Sequence, residues 1–443
     1  MMKKNDKISD TNLNSECDVI DSREDLIAQL TVAAELEHGL CLQYLFSAAS
    51  LKNSLDEGGM TLEELNYVRK WKANIYLIAA QEMLHLSQVA NIVSALGFGV
   101  SLERPNFPQR PSYYPTNLPW GLWPFSPESV VLYALYERPS GNQSVTPDWL
   151  LEDTVMKLLE ESECDKKDPF GFLPVKLSRP SSTRFKTIGE LYNAISKGIS
   201  DYKGDLIIGP DEAQVKGVDV DLPQLIEIFS REDILSAIEL IIYQGEGAAI
   251  DRQDSHFGMF KQIYEEYVYL KEQRIDFEPV RSVQSNPLSR LHIDNTFPGW
   301  RIIDDAYTKS VNDLNSDIYR LMLLMIYRLF TRPKENKQES IILTRTFLRI
   351  MVTTIKPLCE LLTQLPMGDD GSPGVSSRKK YAGASFEMGR VIDKLPYSDA
   401  GHIYMKEELK RLSLLAAKLS VKYTSPEIMK SIAENLKRLY QQF

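Results

Sequence analysis

The chain has 443 residues, 43% of them hydrophobic and 25% charged, with a formal net charge of -10. This is an ordinary globular composition, large enough to bury a site away from water and too long for one simple helical bundle. The scattered Lys and Arg and the acidic balance argue against nucleic acid or an anionic membrane as partner.

Met1 to Asn14 is polar and has no apolar h-region, so residues 1–21 read as a disordered tail without a secretory signal. Cys17, Cys41, Cys164 and Cys359 lie far apart and form no C-x-x-C pair, which suits free thiols in a reducing, cytoplasmic compartment. The most apolar short run, Leu321 to Ile326, is far below membrane-spanning length.

A first helical pattern runs from Ser22 to Lys52, with Ser22 as N-cap and Asp25 three residues later. Leu26, Leu30, Ala33, Ala34, Glu37, Leu40, Cys41, Tyr44 and Leu45 form its stripe. Asn53 to Met60, with Gly58-Gly59, makes a turn. Thr61 and Glu64 then open a second pattern reaching Leu96, and the two form an antiparallel hairpin. Counted from the turn, Glu37 and Glu82 differ in level by roughly 7 Å.

From Glu103 to Pro127 seven prolines forbid a continuous helix. Phe107, Tyr113, Tyr114, Trp120, Trp123 and Phe125 are interleaved with them, which suggests a wrap lying on the bundle. It is either a packed crossover or the wall of a substrate pocket. Helices are expected near Asp148 to Glu161 and over Thr187 to Asp201, with a turn-rich stretch at Asp165 to Ser182 between them. A third long pattern starts at Ser230, with Asp233 as box partner, and ends at Gln244-Gly245-Glu246-Gly247. A fourth begins near Asp254 and places His256, Phe260, Ile263 and Tyr267 on one face. Helical patterns return at Val311 to Thr331, Glu339 to Leu365, His402 to Leu419 and Pro426 to Gln441. A Gly/Ser-rich loop spans Met367 to Lys379.

Glu82-Met83-Leu84-His85 is a Glu-x-x-His pair, which sends both side chains to one helix face. Beside an inward Glu, that spacing suits a carboxylate-bridged dinuclear metal site inside a helical bundle. The candidate metal ligands are Glu37, Glu82, His85, Glu246 and His256, drawn from four helices. Carboxylate and imidazole without thiolate suit iron or manganese. Buried without metal, three carboxylates would repel one another and shift toward protonation. Each residue also has a plainer reading. Glu35-x-x-His38 is a second such pair, and it reads as peripheral because Glu37 and Tyr44 share the apolar stripe. Glu232 and Glu239 repeat the phase of Glu246, as a solvated acidic stripe would. His256 alone would read as a satisfied core histidine. His292 and His402 have no evident partner and are expected to have no chemical role.

At these residues the chain resembles the ferritin-like superfamily. Ala34-Glu35-Leu36-Glu37-His38 with Tyr44, Gln81-Glu82-Met83-Leu84-His85, Gln244-Gly245-Glu246-Gly247 and Ser255-His256-Phe257 are similar to one branch of it. That branch is the ferritin-like domain of the iminophenyl-pyruvate dimer synthase family of the violacein pathway, which Ala382-Gly383-Ala384-Ser385-Phe386-Glu387 also resembles. The resemblance implies an all-α fold: a ferritin-like bundle over residues 22–278 with an insertion at 98–222, then a C-terminal helical region over 279–443. It implies a dinuclear centre of two Fe, with Mn as the other metal these ligands suit. It further implies oxidative chemistry on an amino-acid-derived metabolite in a biosynthetic pathway. Two departures stand out. The chain is much shorter than the full imine-dimer synthases, and Gln253 stands three residues before His256 where a Glu is usual. Asp251, Asp254 or a residue with no recognisable pattern is then expected to supply that carboxylate, unless one metal position is weakly held.

The reading is thus a non-haem diiron oxidoreductase acting on dioxygen and a small molecule, with Tyr44 as a catalytic or supporting phenol and a homo-oligomer as one assembly open to it. The alternatives are an iron-binding protein without organic substrate and a non-catalytic partner subunit.

Overall fold

The computed structural model describes residues 20–109, 114, 118–139, 185, 187–245, 252–290, 301–331, 337–368, 380–388, 397–421 and 426–443. The expected all-α class holds: the β-structure among the described residues is a two-residue parallel pair, Pro287–Leu288 with Arg301–Ile302, and a few isolated bridges.

Helix α1 (Arg23–Ser50) starts at Ser22, whose hydroxyl accepts from the Asp25 amide. Helix α2 (Leu62–Ala95) starts in a full capping box, Thr61 and Glu64 each satisfying the other's backbone N–H. The two pack along their length as the predicted hairpin. Nearly every α1 residue from Leu36 onward is buried, polar ones included. Such a helix is enclosed on all sides, which is where a buried polar site can be built.

The other half of the bundle departs from the sequence reading. Helix α3 (Pro127–Tyr136) lies within the stretch taken as an insertion, and it packs against α6 (His256–Gln273) to complete four helices with α1 and α2. The third bundle helix had been expected at Ser230–Gly245. Helix α5 (Arg231–Gln244) does form there, from a Ser230–Asp233 capping box. It instead packs outside the four, against α2 and α4 (Ile188–Asp201), with Glu232 and Glu239 in solvent.

The Pro/aromatic segment wraps the bundle as anticipated. Trp120 lies over Gly39 of α1 and packs among Phe107, Tyr114 and Tyr136. Trp123 and Phe125 are buried, and Phe125 stacks on Trp71. Buried Arg104 ties the wrap to the C-terminal part, donating to the carbonyls of Pro105 at 2.9 Å and Phe386 at 2.6 Å.

Helices α7 (Ala306–Thr331), α8 (Lys337–Ile350), α9 (Lys356–Leu362), α10 (Ser398–Ser420) and α11 (Pro426–Gln442) follow. Helix α7 packs on α2, α9 on α1, and one hydrophobic core runs from Ile20 to Phe443. Residues 1–19 of the tail expected at 1–21, the helix near Asp148 to Glu161, the turn-rich stretch at Asp165 to Ser182 and most of the Met367 to Lys379 loop lie outside the described residues, whereas Ile20, expected in the tail, is buried in the core. So do Cys17, Cys164 and His292; Cys41 and Cys359 are buried free thiols. Among the described residues no helix is long and apolar enough to cross a membrane.

Candidate metal centre

The roughly 7 Å offset anticipated between Glu37 and Glu82 is absorbed by the hairpin. The two carboxylates meet at one imidazole: His85 Nδ1 lies 3.4 Å from Glu37 Oε2 and 3.4 Å from Glu82 Oε2. On the other side of Glu82, its Oε1 lies 2.9 Å from His256 Nδ1, which is also 3.3 Å from Glu137 Oε2. Among the described residues two groups can hold a metal ion: Glu37, Glu82 and His85, and Glu82, Glu137 and His256. All five side chains are fully buried, and the two imidazole rings lie 5.6 Å apart. Glu82 belongs to both groups, and its two oxygens face different groups. That is the arrangement of a bridging carboxylate.

The structure therefore brings together Glu37, Glu82, His85 and His256. Glu246 lies outside the described residues, although its neighbours Gln244 and Gly245 reach the cluster. Asp254 is not a substitute ligand: it is exposed and paired with Arg252 at 2.7 Å. The carboxylate that joins His256 is Glu137, which the sequence reading missed. It sits one residue past the end of α3, a helix whose residues 129–136 are all buried. With no polar face, that helix gives no 3.6-residue alternation. The available signal was Ser126-Pro127-Glu128-Ser129, a cap with proline at the first position, whose Ser126 stands eleven residues before an otherwise unexplained Glu in an apolar run.

Two phenols bond the outer oxygens. Tyr44 Oη donates to Glu137 Oε1, and Tyr192 Oη, from α4, donates to Glu37 Oε1. Tyr44 is fully buried, with the rings of Tyr133 and Phe260 at 4.9 and 5.1 Å. His38 turns away from the cluster. It is buried rather than on the surface, and bonds Tyr319 of α7. His402, expected to lack a partner, bonds the Phe443 carbonyl at 2.5 Å and stacks on that ring.

The electrostatics suit cations. Burial, and then the charge of Glu82, push the Glu37 carboxyl up to about 8. Burial and Glu82 likewise raise Glu137. Burial would raise Glu82 as well, but His256 and His85 outweigh it and hold that carboxyl well below the usual range. Burial would lower the imidazoles, yet the carboxylates win: His85 is raised well above its ordinary value, and His256 to about 9. Glu37 Oε2 and both Glu82 oxygens face the two imidazoles and no other donor among the described residues. Leaving buried carboxylate oxygens in this state is costly unless something positive occupies the space between them. These residues fit a dinuclear metal group.

The family model described as "Ferritin-like" matches residues 30–265. The 2-imino-3-(indol-3-yl)propanoate dimerase of Chromobacterium violaceum is 24% identical over 372 residues, covering 80% of this chain and 33% of that protein. The dichlorochromopyrrolate synthase of Lentzea aerocolonigenes is 22% identical over 412 residues, covering 86% of this chain and 37% of that protein. The chain thus spans about a third of the length of these curated relatives. A ferritin-like protein of Caulobacter vibrioides aligns in three dimensions with a TM-score of 0.42 and 18% identity, over 72% of this chain and 93% of that one.

Proposed function

Because this chain belongs to the ferritin-like family, we propose that it is a non-haem diiron oxidoreductase using dioxygen to oxidise a small, amino-acid-derived metabolite in a biosynthetic pathway. The observation that carries the reading is Glu82, fully buried, with one oxygen turned to Glu37 and His85 and the other to Glu137 and His256. The names of the two relatives supply the substrate class: one acts on an indole-bearing 2-imino acid, and both are biosynthetic enzymes.

Glu37 and His85 would hold one metal ion and Glu137 and His256 the other, with Glu82 shared. When bound, such a pair supplies reversible one-electron chemistry and sites for dioxygen. The chain's own residues define the setting. Tyr44 and Tyr192 hold Glu137 and Glu37 by their Oε1 atoms, leaving the Oε2 atoms turned to the cluster. The Tyr44 phenol is placed to give or take a proton at Glu137 Oε1. Tyr133, Phe260 and the aromatic wrap exclude water, which would otherwise quench an oxidant.

The test is oxygen uptake by iron-loaded protein, with and without aromatic 2-imino acids generated in situ. Uptake that depends on both iron and the organic acid supports the proposal. Iron oxidation indifferent to every organic acid would favour an iron-handling protein instead.

A further inference from the structure

We propose that Gln81 and Gln244 are positioning residues, each accepting the outer N–H of one histidine so that both imidazoles face the metals through Nδ1. This rests on the dinuclear reading above and adds to it the tautomer and the electronic character of both imidazoles.

The geometry repeats on the two sides. His85 turns Nδ1 toward Glu37 and Glu82, and its Nε2 lies 3.0 Å from Gln244 Oε1. His256 turns Nδ1 toward Glu82 and Glu137, and its Nε2 lies 3.1 Å from Gln81 Oε1. A neutral imidazole has one N–H, and a nitrogen that binds a metal must be bare. The proton therefore belongs on Nε2 in both rings, and a buried N–H requires an acceptor.

An amide could present either end, so something must fix it. Gln244 donates its own Nε2–H to Gln224 Oε1 at 2.9 Å, which leaves its oxygen for His85. The segment carrying Gln224 is in turn tied to α2. Gln88 exchanges two hydrogen bonds with the Ile226 backbone, at 2.9 and 3.0 Å. Asn91 holds Val215 and Ile226 at 3.0 Å. Gln88 lies three residues beyond His85, so one face of α2 carries the histidine and also anchors the support for its acceptor.

The acceptors are neutral. A carboxylate behind an imidazole pulls on the N–H proton, makes the ring a stronger donor and favours the more highly charged metal. An amide does so less. Exchanging either glutamine for glutamate should therefore strengthen the histidine and move the ferric/ferrous midpoint to more negative potential.

The full chain loaded with cobalt(II) reads this out by proton NMR, because Nε2–H protons of metal-bound histidines are paramagnetically shifted and exchange with solvent. Two such signals are expected, both slow to exchange. Gln244→Leu should accelerate exchange of one and Gln81→Leu of the other, each weakening cobalt binding by about 10- to 100-fold. Gln244→Glu and Gln81→Glu should restore binding and, in iron-loaded protein, lower the midpoint. Cobalt bound with both signals unaltered in the leucine variants, or a midpoint unmoved by the glutamates, overturns this assignment while the metal centre stands. A chain that takes up neither cobalt nor iron overturns both. Should a leucine variant fail to fold, the midpoint of the matching glutamate variant decides.

Discussion

Gly245 shows how tightly the cluster is enclosed. A methyl group there would stand 2.6 Å from His256 Nδ1 and 3.0 Å from Glu137 Oε2. Its backbone φ of -129° is outside the left-handed region, and the cost argued here lies in these contacts. Neither contact is the free end of a flexible surface chain, so His256 or Glu137 must move. Gly245→Ala is expected to bind about one metal per chain in place of two, with unchanged far-UV circular dichroism. Full occupancy in that variant would mean the Glu137–His256 pair is not a ligand pair. Glu37, Glu82 and His85 were legible in the sequence, because helical spacing alone puts Glu82 and His85 side by side and the stripe around Glu37 gives its phase; His256 was a candidate only in conjunction with them. Glu137 was not. Its proximity to His256 is created by the α3–α6 pairing, which links residues 119 apart and leaves no local pattern.

The elements divide in the same way. Long helices with a polar face and a cap were readable, as Ser22, Thr61, Thr187 and Ser230 show, each accepting from the amide three residues on. Helix α3 was hidden by the prolines before it and by burial on every side. Its start is set by Ser126, which accepts from the Ser129 amide, with Pro127 at the first position. Ser126→Ala should cost about 1 kcal/mol, the ordinary worth of such a cap. Because Glu137 sits at the far end of this short helix, the variant should also weaken metal binding, seen as a raised half-saturation concentration in cobalt titration. An unchanged melting temperature would show that packing, not the cap, fixes α3.

For the whole molecule, three carboxylates gather at the α1–α2 turn end of the bundle. Glu57 bonds buried Arg281 at 2.6 Å, Glu64 bonds Arg274 at 2.7 Å, and Lys72 meets Glu360 at 2.7 Å. Burial opposes all three charges, but hydrogen bonds and cations outweigh it: Arg281 for Glu57, the Thr61 backbone and Arg274 for Glu64, Lys72 for Glu360. All three carboxyls therefore lie below their ordinary value. A carboxyl depressed in the folded state stabilises above its unfolded pKa of about 4.3 and loses that contribution as pH falls through the folded value. The contribution of these three carboxyls to thermal stability should thus hold from pH 6 to about 4.5 and fall steadily below it. Glu57→Gln with Glu360→Gln should flatten that acid limb; an unaltered limb would place the acid sensitivity elsewhere. Arg281 also donates to the Ala49 carbonyl and to Thr363, so α1, the segment after α6 and the end of α9 meet at one guanidinium. The C-terminal helices are accordingly part of the packing that encloses α1.

The central claim is that Glu82 is shared between two metal ions, and metal analysis of iron-reconstituted protein beside its Glu82→Ala variant tests it most directly. About two irons per chain in the parent, and near-complete loss in a variant that keeps its helical circular dichroism, is the predicted result. An iron-free parent, or a variant with full occupancy, would contradict it.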